Sequence, residues 1–222
     1  MSDKNPPLII DYYSDLLCVW AWIAERRIEE LEAQWGDRIV LRHQFLNVFG
    51  DTTNKMATQW SERGGYEGFA RHVASSAADY EDAPVNADLW LKVRPLTSAN
   101  AHLVLKAVEL AESPVTMVQA AGHLRRAFFL DAVDIGPLQN VYDLISDLGL
   151  RNDAIRGALD TGAAMAALMS DYGNAERKGI AGSPSWVMNE GRQVLFGNVG
   201  YRVLNANIEE LLRHPGDEAS WC

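Results

Sequence analysis

The chain has 222 residues, of which 48% are hydrophobic, and this suffices to bury the core of one large domain or of one domain with an insertion. Its 30 acidic residues outnumber the 20 basic ones and give a formal net charge of −10, which argues against nucleic acid and anionic membranes as partners. A polar N-terminus and the shortness of the longest apolar run, residues 16–24, favour a soluble, cytoplasmic protein.

The first elements of the chain predict a βαβ unit. Residues 8–13 read as a strand whose alternate side chains share an apolar face. Ser14 and Asp15 break this strand and can cap a helix over about residues 18–35. Apolar and polar side chains alternate again over residues 38–46, which indicates a second strand. Strand, helix and strand in this order predict a right-handed connection and two parallel strands.

The remaining chain predicts a helical block followed by a return to strands. Residues 47–96 carry only a weak helical pattern, interrupted by glycines and prolines. Five helices with short connections are predicted over residues 98–111, 115–130, 138–148, 152–159 and 162–178. Two strands at residues 184–188 and 193–196 form a hairpin, and a helix over residues 203–212 ends the pattern. A thioredoxin fold interrupted by a helical insertion has this order of elements.

Cys18 is the main candidate for chemistry, because it lies at a predicted helix N-terminus directly after a strand. Unpaired N–H groups and the helix dipole stabilise a thiolate in that position. The alternative is a small buried apolar residue, since cysteine is among the most buried types and the neighbouring residues are apolar. Cys222 is the only other cysteine, so neither a disulfide framework nor a structural zinc site is expected. Cys222 lies in a polar tail and is expected to be an exposed thiol without a disulfide to Cys18.

A family resemblance is carried by residues 15–22, which read Asp-Leu-Leu-Cys-Val-Trp-Ala-Trp. This segment resembles the Asp-x-x-Cys-Pro-Trp-Cys segment of the DsbA-like thioredoxin superfamily. The FrnE-like branch, related to 2-hydroxychromene-2-carboxylate isomerases and kappa-class glutathione transferases, is the most similar. In that family the first cysteine is the nucleophile and the second resolves the mixed disulfide. Cys18 matches the first, and Ala21 stands where the second would be.

Two further segments carry the same resemblance. Residues 179–187, Gly-Ile-Ala-Gly-Ser-Pro-Ser-Trp-Val, look like the family's Gly-Val-x-Gly-Val-Pro-x-Phe-Val loop, whose proline is cis and faces the nucleophile. We therefore expect a cis Pro184 facing Cys18, with the backbone of Ser183 free to pair with an extended substrate. Residues 99–102, Ala-Asn-Ala-His, resemble a segment that the family places over the active site. Asn100 could donate a hydrogen bond to a sulfur or a ligand carboxylate there, and helix capping is its alternative role.

The resemblance implies an α/β thioredoxin-like fold with a large helical insertion. The thioredoxin-like domain would comprise residues 1–50 and 176–222 and would enclose a helical domain of residues 51–175. Catalysis is assigned to Cys18, with no metal and no tightly bound cofactor. Substrate contacts are expected from a set of residues around it: Trp20, Asn100, Ser183, Pro184 and Asn198.

Three functions remain open, because Ala21 removes the thiol that would resolve a mixed disulfide. In the first, Cys18 is a monothiol nucleophile of low pKa that acts on small-thiol or protein disulfides, with glutathione or another small thiol as cosubstrate. In the second, the protein is a glutathione-dependent isomerase or transferase, although its turn at residues 197–202 lacks the aspartate that holds glutathione in those relatives. In the third, it is a non-catalytic binding module. A homodimer is left open.

Overall fold

The protein's computed structural model describes residues 6–216, in which four strands form one mixed sheet. The strands are β1 (Leu8–Ser14), β2 (Ile39–Phe45), β3 (Ser185–Met188) and β4 (Gln193–Phe196), in the spatial order β2-β1-β3-β4. β1 and β2 are parallel, as predicted, with Leu8 opposite Ile39. β3 runs antiparallel to both β1 and β4. The carboxyl ends of β1 and β2 therefore lie at one edge of the sheet, where the Cys18 loop begins.

The described residues also form nine α-helices. They are α1 (Val19–Trp35), α2 (Thr52–Thr58), α3 (Gly65–Ala77), α4 (Ala99–Ala111), α5 (Pro114–Phe129), α6 (Leu138–Ser146), α7 (Asn152–Asp160), α8 (Ala163–Arg177) and α9 (Tyr201–Arg213). The predicted order β-α-β, helices, β-β-α is confirmed, and most bounds agree within two residues. The main addition is α2 and α3, which occupy the stretch where the sequence pattern was weak.

Alternate side chains of β1 form one of the protein's hydrophobic cores. Leu8, Ile10 and Tyr12 point to the same face and are buried there. They pack against α1 and α9, through the buried side chains Ala24, Ile28, Leu31, Leu204, Ile208 and Leu211. Burying one such aliphatic side chain stabilises the fold by about 1.5–3 kcal/mol. This packing fixes α1 on the sheet and so fixes the position of its N-terminus.

A second, larger core joins the start of α1 to the helical part of the chain. Leu16, Leu17, Cys18 and Trp22 belong to it, together with side chains from α2 to α8. The Trp22 indole stacks on Phe129 with a centroid distance of 5.6 Å, and its N–H donates to the Pro84 carbonyl at 3.1 Å. The boundaries at residues 50/51 and 175/176 stay a prediction, but this core shows that the helices cover the Cys18 loop directly.

The opposite face of the sheet is covered by α8. Tyr13 and Val187 pack there against Ala175 and Ile180 in a small third core. The segment after α8 leads straight into β3, so α8 determines where the loop before Pro184 lies. None of the helices in residues 6–216 is long and apolar enough to cross a membrane.

Candidate active site

Cys18 is the N-cap residue of α1 and is almost completely buried. Its side chain is only 6% exposed, and its amide donates to the Asp15 carbonyl at 3.2 Å, which closes the turn after β1. The N–H groups of Ala21 and Trp22 both donate to the Cys18 carbonyl. The predicted placement of this thiol at a helix N-terminus after a strand is therefore confirmed.

The peptide bond between Ser183 and Pro184 is cis, as predicted, and its loop faces Cys18. The Cys18 thiol donates to the Ser183 carbonyl with 3.2 Å between sulfur and oxygen. The Ser183 hydroxyl oxygen accepts from the Asp15 amide at 2.9 Å. These two bonds hold the loop before β3 and the Cys18 turn together, although the two are about 165 residues apart in the sequence.

Asp15 fastens the Cys18 turn to two other parts of the chain. One carboxylate oxygen accepts from the Leu17 amide at 3.0 Å. The other accepts from the amides of Val48 and Phe49, at 3.0 and 2.9 Å, and from the Ser98 hydroxyl at 2.8 Å. Hydrogen bonds to an ionised acceptor are stronger than neutral ones. Asp15 is thus a buried anchor for the turn, the end of β2 and the start of α4.

His102 is a second anchor, and no role for it was predicted from the sequence. Its Nε2 accepts from the Leu16 amide at 3.1 Å, and its Nδ1 lies 2.9 Å from the Tyr172 hydroxyl. Burial lowers the pKa of His102 to about 4, an effect that the Asp15 charge opposes. The ring is therefore neutral near pH 7. The only signal in the sequence was its place in the Ala-Asn-Ala-His segment.

The expectation of a low thiol pKa is wrong for this resting structure. Burial raises the pKa of Cys18 above its ordinary value, and the negative charge of Asp15 adds to that rise. The Ser183 hydroxyl and the backbone N–H groups of Ala21 and Trp20 act in the opposite direction, since they can donate to the thiolate. Desolvation outweighs these donors, because the aromatic helical core closes over the helix N-terminus. Cys18 therefore rests as a neutral thiol near pH 7.

No second thiol lies near Cys18 within the described residues. Ala21 is fully buried in the position of the resolving cysteine. Cys222 and its expected lack of a disulfide to Cys18 fall outside residues 6–216. The described residues also contain no cluster of three histidine, cysteine or carboxylate side chains that could hold a metal ion.

Two other predicted substrate contacts, Trp20 and Asn198, have partners of their own in this structure. Trp20 is half-buried and meets His72 edge-on, with 6.3 Å between ring centroids. The Asn198 amide donates to the Tyr80 hydroxyl at 2.8 Å. Their contact with a substrate stays a prediction.

Asn100 is at the start of α4, as predicted, but its amide group donates to the Gly136 carbonyl at 2.8 Å. In this structure that donor is used within the helical part of the chain. A hydrogen bond from Asn100 to a sulfur or a ligand would require it to leave Gly136, so this role also stays a prediction.

Lys55 is a charged neighbour that the local sequence did not reveal. It comes from α2, lies 4.9 Å over the Phe49 ring and donates to Gln59 at 2.9 Å. Burial lowers the pKa of Lys55, and the negative charges of Asp15 and of an ionised Cys18 raise it. A cation therefore lies within electrostatic range of the thiol, on an element that the sequence pattern left undefined.

Comparison with known proteins agrees with this geometry. The family model for the DSBA-like thioredoxin domain matches residues 9–209. No match was found among curated proteins. The similar solved structures include a proposed protein disulfide isomerase from Nitrosomonas europaea, at 18% identity and a TM-score of 0.76, covering 95% of this chain and 100% of that one.

Two other similar structures have different activities in their names. The cytosolic disulfide reductase DsbM from Pseudomonas aeruginosa is 18% identical with a TM-score of 0.67, over 93% of this chain and 99% of its own. A 2-hydroxychromene-2-carboxylate isomerase is 16% identical with a TM-score of 0.63, over 96% of this chain and 100% of its own. At these identities the structures establish the fold, a thioredoxin-like sheet with a helical insertion, while the family match over residues 9–209 is independent of them. The chain belongs to the DSBA-like thioredoxin domain family.

Proposed function

We propose that the protein is a thiol-dependent oxidoreductase in which Cys18 is the single nucleophile. The observation that carries this proposal is the 3.2 Å contact between the Cys18 sulfur and the carbonyl next to the cis-proline. That carbonyl is held in place by the Ser183–Asp15 hydrogen bond, so the thiol faces a fixed backbone edge. An extended substrate can pair with such an edge as an added strand would.

The proposed reaction is thiol–disulfide exchange with a disulfide R–S–S–R′. Cys18 loses its proton, and its sulfur attacks one sulfur of the substrate. The Cys18–S–S–R bond forms while the S–S bond breaks, and R′–S⁻ leaves and takes up a proton. The Ser183 hydroxyl and the N–H groups of Trp20 and Ala21 hold the thiolate before attack. Loss of the proton also releases the Ser183 carbonyl, which then becomes free for the substrate.

Completion of the cycle needs a thiol from outside, because Ala21 cannot attack the mixed disulfide. We propose glutathione or another small thiol as the cosubstrate, with small-thiol or protein disulfides as substrates. The likeness to DsbM, which has also been solved with glutathione, supports this choice. Without such a thiol, the mixed disulfide on Cys18 accumulates.

The second candidate is a glutathione-dependent isomerase or transferase. Its support is the protonated state of Cys18, because a neutral S–H can donate a hydrogen bond to the thiolate of a bound cosubstrate without attacking it. The similar fold of the chromene-carboxylate isomerase agrees with this reading. A non-catalytic binding module is the third.

Alkylation of Cys18 by iodoacetamide across pH 6–11, followed at the Cys18 peptide, separates these candidates. The oxidoreductase proposal predicts an inflection above the ordinary thiol value of about 8.5 and an adduct with oxidised glutathione. Ser183→Ala removes a donor to the thiolate and should raise the inflection further, whereas Ser170→Ala, on the exposed side of α8, should leave it unchanged.

The alternatives give different results in the same assay. Protection from alkylation by reduced glutathione, without any adduct from oxidised glutathione, would favour the isomerase or transferase. No effect of either form of glutathione would leave the binding module. An unshifted inflection near 8.5 together with no adduct would contradict the oxidoreductase proposal.

A further inference from the structure

A cavity of about 400 Å³ lies beside the Cys18 turn. It is open to solvent on one side and is lined by the residues that follow β2, by α8 and by the segment before the cis-proline. Its apolar lining includes Leu46, Val48, Ala175 and Ile180. Its size falls within the range of about 300–1,000 Å³ that is usual for small-molecule sites. The mostly apolar lining would bury a compact organic group.

Two polar side chains of the lining can donate a hydrogen bond, the amide of Asn47 and the hydroxyl of Tyr172. The direction of the Tyr172 proton follows from the contacts of His102. Because the Leu16 amide donates to Nε2, that nitrogen carries no proton, and the single proton of the neutral ring is on Nδ1. Nδ1–H therefore donates to the Tyr172 oxygen at 2.9 Å. The Tyr172 hydroxyl proton must point elsewhere, and it has no acceptor among residues 6–216. Tyr172 lines the cavity, so this proton can serve a ligand there.

The cavity is also close to the thiol along two backbone segments. Ala181 lines it, and two residues later the Ser183 carbonyl accepts the Cys18 thiol at 3.2 Å. Successive Cα atoms are about 3.8 Å apart, so Ala181 and Ser183 are separated by at most about 7.6 Å. Val48, on the other wall, donates its amide to Asp15 of the Cys18 turn. A molecule of modest size joined to Cys18 can therefore reach the cavity.

Building on the proposed function, we propose that this cavity binds the non-thiol part of the molecule that reacts at Cys18. The group that it takes is uncharged and apolar and bears a carbonyl oxygen, which accepts from the Tyr172 hydroxyl. A carboxylate is disfavoured because Glu176 lies in the lining and the chain has a net charge of −10. A purely aliphatic group would leave the proton of the partly buried Tyr172 hydroxyl without an acceptor.

Three methanethiosulfonate reagents test this assignment on the full-length protein. Each transfers its group to the thiolate: the Cys18–S–S–R bond forms, the S–S bond of the reagent breaks and methanesulfinate leaves. The groups are methyl, 4-acetylbenzyl and 4-isopropylbenzyl, and the last two differ mainly in the carbonyl oxygen. We expect the acetyl reagent to modify the Cys18 peptide about three- to tenfold faster than the isopropyl reagent, the range for one neutral hydrogen bond.

Two variants distinguish the effect of the Tyr172 hydrogen bond from the effect of the cavity volume. Tyr172→Phe should bring the rate ratio of acetyl to isopropyl reagent close to one. Ala181→Phe, at an exposed position of the lining, should slow both benzyl reagents about fivefold or more by filling the cavity, with little effect on the methyl reagent. Ala154→Phe, exposed on α7 and outside the cavity lining, is the matched control and should change none of the rates.

The methyl reagent serves as the internal standard for Cys18 itself. A ratio that persists in Tyr172→Phe, or an Ala181→Phe variant that slows methyl and benzyl reagents equally, would overturn the cavity assignment while leaving the nucleophile intact. Failure of the methyl reagent to modify Cys18 would instead contradict the proposed function. In that case, binding of acetophenone is measured by saturation-transfer NMR. Binding that is lost in Ala181→Phe would still identify the cavity as a ligand site, whereas no binding would also overturn the cavity assignment.

Discussion

An Asp15→Asn substitution should destabilise the protein and at the same time lower the pKa of the Cys18 thiol. Both effects follow from the buried carboxylate that anchors the Cys18 turn. Its two oxygens accept four hydrogen bonds, three from backbone amides and one from the Ser98 hydroxyl. Its negative charge is also one of the causes that raise the pKa of Cys18. A change that keeps the shape and removes the charge therefore acts on stability and on reactivity.

The size of the stability effect can be worked out from the four contacts. Asparagine keeps one acceptor oxygen, which can serve Val48, Phe49 and Ser98 at reduced strength, but its NH₂ group then faces the Leu17 amide. Loss of one charge-assisted bond and of the charge assistance in the others should lower the free energy of unfolding by about 2–3 kcal/mol. Asp15→Ala leaves the buried amides of Leu17 and Phe49 and the partly buried amide of Val48 without an acceptor, and it should cost on the order of 5 kcal/mol.

Urea unfolding followed by tryptophan fluorescence measures the first effect, and iodoacetamide labelling of Cys18 across pH measures the second. Asp143→Asn is the matched control, since Asp143 is exposed on α6, where it accepts a hydrogen bond from the side chain of Gln139 at 2.7 Å. That control should change neither quantity. An Asp15→Asn protein of unchanged stability, or one whose Cys18 inflection moves upward, would refute the reasoning.

Two further predictions concern acid stability and helix packing. The pKa of His102 is about 4 in the folded protein against about 6.5 when unfolded, so the unfolded chain binds a proton between these values and the free energy of unfolding falls as pH decreases from 6.5 to 4. The shift in the pKa of His102 corresponds to about 3 kcal/mol of unfolding free energy. Urea unfolding of His102→Gln should show a weaker dependence of this free energy on pH between 4 and 6.5. An equal dependence in the variant and the unmodified protein would contradict a neutral, buried His102. Gly68→Ala would place a Cβ 1.8 Å from the Arg63 carbonyl oxygen and should cost about 3 kcal/mol, whereas Gly157→Ala, whose Cβ meets nothing within 4 Å, should gain about 0.5–1 kcal/mol. Thermal unfolding compares the two, and similar melting temperatures would count against this packing of α3.

The features that could be predicted from the sequence depend on short segments. The strand before Cys18 and the helix after it are predicted by the local periodicity of apolar residues. Pro184 can be read directly from the sequence, immediately before the predicted strand β3. The resemblance of residues 15–22 and 179–187 to one family then brings Cys18 and Pro184 together. Their contact through Ser183 is the consequence of that pairing.

The features that were missed depend on partners far apart in the chain. Asp15 meets Phe49 and Ser98 at separations of 34 and 83 residues, and no periodic pattern marks such pairs. The direction of the Cys18 pKa shift was wrong for a related reason. A helix N-terminus favours the thiolate, but the net effect depends on how completely the helical core covers the sulfur.

The weakly patterned residues 47–96 supply much of that cover. Phe49, Trp60, Phe69 and Trp90 from this stretch are buried in the same core as Cys18. α2 has only seven residues and α3 contains Gly65 and Gly68, so the helical pattern there is weak. For this reason neither the cover nor the nearby Lys55 could be anticipated. Asn100 was placed on the correct helix, but its partner Gly136 lies on a loop whose path is set by tertiary packing.

The central claim is that Cys18 forms mixed disulfides that the protein cannot resolve by itself. Intact-mass spectrometry with peptide mapping, on full-length protein treated with oxidised glutathione at pH 8, tests it most directly. The account predicts one glutathione on Cys18, in the unmodified chain and in Cys222→Ser alike, which persists until reduced glutathione is added. Absence of glutathione from Cys18, or its spontaneous replacement by a Cys18–Cys222 disulfide, would contradict the account.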